Sequence, residues 1–162
     1  MSTATVIPEI SALREKIHAR TAEIAVIGIG YVGLPLAVAF AEAGFPTLGF
    51  DLDTRKVTSI NNGVSYIPDV ESSLVNVLVR DGRLRAATDE ATLDLADVLF
   101  ICVPTPFDRM KAPDLGPVES ASRAIARHLR RGTMVVLQST TYPGTTEEFV
   151  LPILESSGLK AG

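Results

Sequence analysis

Tryptophan is absent from this 162-residue chain, cysteine occurs once and histidine twice. A single cysteine cannot close an internal disulfide, so nothing implies an oxidising compartment. His18 and His128 fall on expected helices with no metal or triad spacing, and both are expected at the surface. No window holds about 18 uncharged apolar residues, so no membrane span is expected. A basic excess is missing too. The 15 Lys and Arg against 19 Asp and Glu give a net charge of −4, which offers no footprint for nucleic acid or a membrane surface. The segment from Met1 to Glu9 lacks the basic and apolar regions of a secretory signal. These absences lead to the expectation of a cytoplasmic protein. With 46% hydrophobic and 21% charged residues, the composition suits one globular domain with its own core.

What is present is concentrated near residue 28. Ile24 to Ile27 is an apolar run, followed by Gly28-Ile29-Gly30-Tyr31-Val32-Gly33. A helical segment and a second apolar run come next, and the second run closes on Asp51. Each part suits one ligand. Gly28 permits a tight turn out of a strand, Gly30 lets the backbone approach a pyrophosphate, and Gly33 lets a helix pack close to the sheet. The helix N-terminus adds unpaired N–H groups and a positive dipole end. Asp51 follows Gly33 by 18 residues, a distance at which an acid can accept hydrogen bonds from a ribose diol. A glycine-rich turn with no ligand is the bland alternative. The strand, helix and acid in the right order favour a dinucleotide.

The rest of the chain alternates strands with helices. Strands are expected at 23–28, 46–51, 83–87, 98–103 and 133–137, and helices at 33–43, 54–61, 70–80 and 117–130. The spacing from Thr145 to Glu148 predicts a capping box opening a last helix. Together these give an α/β class and a Rossmann-like doubly wound parallel sheet of about five strands, order 3-2-1-4-5. Residues 8–20 form an extra amphipathic helix with Ile10, Leu13 and Ile17 on one face. The chain thus divides into 1–20, the N-terminal helix, and 21–162, the nucleotide-binding domain. That helix is read as packed on the outside of the domain, with a partner-binding role as the alternative.

Ligands of such sheets sit at the carboxyl ends of the strands, here segments 28–33, 51–56, 103–107 and 138–144. Thr105 stands between two prolines in the third, and Ser139, Thr140, Thr141 and Tyr142 put four hydroxyls in the fourth. Cys102, behind a buried strand, reads as a small core residue. Asp94, Asp97, Asp108 and Asp114 show no pairing that sequence establishes.

The chain resembles the NAD-binding domain of the UDP-glucose/GDP-mannose dehydrogenase family. The resemblance rests on Gly28 to Pro35, on Gly49-Phe50-Asp51-Leu52-Asp53 with Lys56, Val57 and Ile60, on Val103-Pro104-Thr105-Pro106 with Pro113-Asp114-Leu115, and on Ser139 to Glu147. The tract Gly63-Val64-Ser65-Tyr66-Ile67, with the block Ser139 to Glu148, looks most like the branch acting on UDP-N-acetylglucosamine, with the UDP-glucose and UDP-N-acetylmannosamine branches as alternatives.

The resemblance implies NAD as cofactor. Ile29, Gly30, Tyr31 and Val32 would face its pyrophosphate and Asp51 its adenosine ribose, with Lys56 nearby. Thr105 and Thr140 would lie toward the nicotinamide, and Thr140 would also position a water or a substrate hydroxyl. Loop capping by hydroxyls is the bland reading of the two threonines, and a solvated helix charge that of Lys56. The family oxidises a sugar C6 alcohol to a carboxylate with two NAD, through a cysteine whose motif lies downstream of this domain. Cys102 does not match that motif. The chain is therefore expected to be a cofactor domain, inactive alone, whose UDP-sugar partner belongs to a longer enzyme. A free-standing NAD-binding or interaction module stays open. A hydroxyacid-type dehydrogenase is disfavoured by Asp51 and the Ser139–Gly144 block. Without a sixth strand, residues 133–138 would form an apolar sheet edge. Such an edge predicts homo-oligomers through self-association, or its coverage by residues after Ser157.

Overall fold

β1 (Ile24–Ile27) is buried at all four positions, as is β2 (Thr47–Phe50), which requires a sheet covered on both faces. A computed structural model, describing residues 8–106 and 113–162, shows that sheet. The other strands are β3 (Leu84–Ala87), β4 (Val98–Ile101) and β5 (Met134–Leu137). All five are parallel, in the order β3-β2-β1-β4-β5. Ile24 of β1 aligns with Thr47 on one side and Val98 on the other.

Alternate side chains of a strand point to opposite faces, so β1 feeds two cores. Ile24 and Val26 join α2 (Gly33–Glu42), α3 (Thr54–Asn61) and α4 (Ser72–Arg80) through Leu34, Ala37, Ala41, Ile60, Val75 and Leu78. Ala25 and Ile27 join α5 (Gly116–His128) through Val118, Ala121 and Ile125. Each parallel crossover thus lays its helix on a sheet face, as the doubly wound reading requires. Element ends differ from the expected ones by one or two residues. A 3-10 turn at Glu90–Leu95, which buries Leu93, was not anticipated.

α1 (Pro8–His18) packs Leu13 and Ile17 against the first core, whereas Ile10 is 52% exposed and leaves the expected apolar face. Lys16 donates to Asp97 at 2.6 Å, and the same carboxylate accepts the Glu23 N–H at 3.0 Å. Both acids precede strands, so α1 docks at the amino ends of β1 and β4, opposite the glycine turn. Residues 1–7 of the expected N-terminal segment lie outside the described residues.

Two expectations at the C-terminus are corrected. Thr145 is not a capping residue. Its backbone is already helical (φ −53°, ψ −37°), it is buried, and its hydroxyl donates to the Tyr142 carbonyl at 2.7 Å. An N-cap needs extended backbone to turn its oxygen back on the helix. Here the Glu147 and Glu148 N–H groups instead take the Gly144 carbonyl at 3.0 and 2.8 Å, opening a π-helical turn (Thr146–Val150) that runs into α6 (Leu151–Glu155). Residues after Ser157 add no strand beside β5. Lys160 and the Ala161 N–H both bond the Glu155 carboxylate, at 2.7 and 3.3 Å, which folds them onto α6. Among the described residues β5 pairs only with β4.

Candidate functional site

Gly28 ends β1 with φ +89°, and a Cβ there would lie 2.9 Å from the Cys102 carbonyl oxygen. Gly33 opens α2, and a Cβ there would lie 1.8 Å from the Gly28 carbonyl oxygen. These two glycines are structural: they let helix, strand and the β4 end close on one another. Gly30 differs. A Cβ there meets nothing within 4 Å, so its missing side chain leaves open space over the turn. Among the described residues, no protein acceptor takes the N–H groups of Gly30, Tyr31 or Val32. The Tyr31 and Val32 side chains are 75% and 57% exposed. The turn therefore offers free donors at a helix N-terminus, an arrangement that binds anions.

Asp51 stands beside this turn at the end of β2. Its Oδ2 accepts the Ile29 N–H at 3.1 Å and its Oδ1 the Asp53 N–H at 2.9 Å. Lys56, in the first turn of α3, donates to Oδ2 at 2.9 Å. A carboxylate has about four acceptor positions, so these three bonds leave capacity for a hydroxyl. The Asp51 side chain is 12% exposed and Lys56 34%, so the lysine is the partner free to swing away. Asp53 caps α3 through the Arg55 N–H at 3.0 Å. The Arg55 side chain also grips Asp53 through Nε and Nη2 at 3.0 and 2.8 Å. Those hydrogen bonds, side-chain first, hold the Asp53 carboxyl down to about 2.

The β4 and β5 ends meet through Thr105, whose hydroxyl donates to the Thr140 carbonyl at 2.7 Å. Thr105 therefore has the loop-bracing role as well as its place at the strand ends, while Thr140 is exposed. Ser139 turns inward, donating to the Val103 carbonyl at 2.7 Å, so one of the four hydroxyls is taken up by the loop itself. Phe107 and Asp108 lie outside the described residues.

Cys102 is buried, as expected of a core residue, and burial pushes its thiol up to about 11. A thiol held in that form is a poor nucleophile at neutral pH. His128 lies at the surface, as expected, but is partly covered there. Its ring is 19% exposed and its Nδ1 lies 2.9 Å from Asp94 Oδ1. Among the described residues no group of three metal-ligating side chains converges, and no helix is long and apolar enough to cross a membrane. Asp114 receives the Gly116 N–H at 2.8 Å and so fixes the start of α5.

Tyr66 was not anticipated as part of this site. Its hydroxyl donates to the Ile29 carbonyl inside the glycine turn. Burial, then the nearby Asp51 and Asp53 carboxylates, push its pKa well above the usual tyrosine value and keep it a donor. Only the tract around it stood out in the sequence, and no local pattern shows that a loop tyrosine reaches a turn 37 residues earlier.

The model of the NAD-binding domain of the UDP-glucose/GDP-mannose dehydrogenase family matches residues 22–161. UDP-N-acetyl-D-mannosamine dehydrogenase of Escherichia coli K12 is 44% identical over 129 residues, 78% of this chain and 30% of that protein. UDP-N-acetyl-D-glucosamine 6-dehydrogenase of Salmonella typhi is 41% identical over 133 residues, 82% of this chain and 30% of that protein. Among solved structures, NDP-N-acetyl-D-galactosaminuronic acid dehydrogenase of Methanosarcina mazei Go1 superposes with a TM-score of 0.84 at 32% identity, covering 96% of this chain and 35% of that one. The chain spans about a third of the length of the relatives it matches.

Proposed function

The chain belongs to the UDP-glucose/GDP-mannose dehydrogenase family, as its NAD-binding domain, and from that premise we propose where the cofactor sits and what the whole enzyme oxidises. The N–H groups of Gly30, Tyr31 and Val32 hold the pyrophosphate, with Gly28 and Gly33 shaping the turn around Ile29. Asp51 accepts from the adenosine ribose hydroxyls, and Lys56 gives way to them or joins them. Thr105 and Thr140 border the nicotinamide end, where Thr140 positions a water or a substrate hydroxyl. The bound nicotinamide accepts a hydride, which is the chemistry the protein itself cannot supply.

One observation carries this reading. The Asp51 carboxylate and the open face of Gly30 are joined through Ile29, whose N–H donates to Asp51. A ribose acceptor and a phosphate cradle thus stand side by side, in the order an adenosine diphosphate presents its parts. The same carboxylate repels a 2′-phosphate. Arg55 is forked onto Asp53 and so is engaged away from that repulsion, which leaves Lys56 as the nearby cation that works against it. Calorimetric titration tests the assignment: NAD binds more tightly than NADP, and equal or tighter NADP binding refutes it.

We further propose that the whole enzyme oxidises the C6 alcohol of a UDP-sugar to a carboxylate with two NAD, and that the sugar is UDP-N-acetyl-D-glucosamine. The tract Gly63–Ile67 supports that branch. The 44% identity to an N-acetylmannosamine enzyme favours UDP-N-acetyl-D-mannosamine as the second reading. Assay of the whole enzyme on both sugars separates them. The 162-residue chain alone turns over neither, because its one thiol is buried and held protonated.

A further inference from the structure

We infer that Tyr66 is a positioning residue for the pyrophosphate: by holding the Ile29 carbonyl it aims the Gly30 N–H at the phosphates. The inference rests on the NAD reading above and adds a part to it.

Ile29 is fixed on three sides. Its N–H is held by Asp51 at 3.1 Å, its carbonyl by the Tyr66 hydroxyl, and its side chain fills the space over Gly49, where a Cβ would lie 2.8 Å from Ile29 Cγ2. The Ile29 carbonyl and the Gly30 N–H belong to one planar trans peptide, so they point in opposite directions. Fixing the oxygen toward Tyr66 therefore fixes the hydrogen away from it, toward the open side of the turn. Without that hold, the peptide between Ile29 and Gly30 is the one most free to rotate, since Gly30 has no side chain to restrict it.

Tyr66 is itself placed before any ligand arrives. Gly63 at φ +73° packs on Asn76 of α4, where a Cβ would lie 2.9 Å from the Asn76 Cα. The Ser65 N–H donates to Ser72 Oγ at 3.0 Å, and Ile67 is buried in the core. The Tyr66 ring packs against the same core. A tyrosine anchored this way spends no ordering entropy when the cofactor binds, and preorganised donors are worth more than ones that must be ordered.

The test is Tyr66→Phe, which keeps the ring and removes the hydroxyl. Binding of NAD, ADP-ribose and adenosine is measured by NMR titration of the 162-residue chain, beside thermal unfolding. The expected result is a loss of about fivefold in affinity for NAD and ADP-ribose, the effect of one hydrogen bond. Adenosine affinity stays within about twofold, because it lacks the pyrophosphate. The Gly30 amide signal of the free variant also shifts. Equal losses for all three ligands would show a merely structural role and overturn the inference, as would unchanged NAD affinity. If the unsubstituted chain binds adenosine but not NAD, the cofactor reading itself fails; if it binds NAD and the variant loses nothing, only the Tyr66 inference fails.

Discussion

Replacing glycine by alanine at two positions three residues apart in the same turn, Gly30 and Gly33, should give opposite results. At Gly33 the added Cβ falls 1.8 Å from the Gly28 carbonyl oxygen, 1.2 Å inside the 3.0 Å that real Cβ atoms respect. It also falls 3.2 Å from the Cys102 Cβ, so retreat in that direction is limited. The blocking atom is backbone, and helix α2 must lift from β1 to relieve it. Overpacking of this kind costs about 3 kcal/mol or somewhat more. Gly33 is the first residue of α2, so alanine regains little helix propensity there and the net loss stays about 3 kcal/mol. For a domain of this size that lowers Tm by about 6–12 °C. At Gly30 the added Cβ meets no protein atom within 4 Å, so the fold loses nothing and Tm stays within about 2 °C. The methyl instead stands where the pyrophosphate must come, and NAD affinity falls at least about tenfold. Thermal unfolding and calorimetric NAD titration of both variants decide the matter. Wild-type Tm in Gly33→Ala, or wild-type NAD affinity in Gly30→Ala, would refute the division of roles.

Asp51→Ala weakens NAD binding by about 1–3 kcal/mol by calorimetry, since it removes the ribose acceptor and also frees the Ile29 N–H. Cys102 resists alkylation at pH 8 in the folded chain and reacts fully in denaturant, because its thiol is buried and titrates near about 11; rapid native labelling would contradict the packing. Asp53 has a depressed folded pKa of about 2 against 3.8 unfolded, so its hold on α3 is complete above pH 4 and fades as the pH falls toward 2. The Arg55 amide signal followed through that window checks the sign, and an Arg55 environment that changes only above pH 4 would reverse it.

The sheet was readable because its central strands are buried on both faces. Ile24 to Ile27 and Val98 to Ile101 had to be continuous apolar runs, and such runs stand out. The spacing of Gly28, Gly30 and Gly33 was readable for the same reason: close approach demands glycine, whatever the rest of the chain does. What sequence could not show is which groups meet across the fold. Tyr66 on Ile29 and Ser139 on Val103 are long-range contacts with no period. The Thr145 capping box failed because the spacing of a threonine and a glutamate does not report backbone direction. The chain was already turning at Tyr142, so the hydroxyl found a carbonyl behind it instead of an N–H ahead. The pairing of His128 with Asp94 was not visible because Asp94 lies in a 3-10 turn that periodicity does not reveal.

The most direct test of the cofactor site is amide chemical-shift mapping of the chain during NAD titration. The account predicts saturable shifts at Gly30, Tyr31 and Val32 of the turn and at Asp51 and Asp53 beyond β2, with little change at α1, which docks at the opposite ends of the strands. Shifts that gather around Glu9, Lys16 and Arg131 instead, or none at saturating NAD, would contradict it.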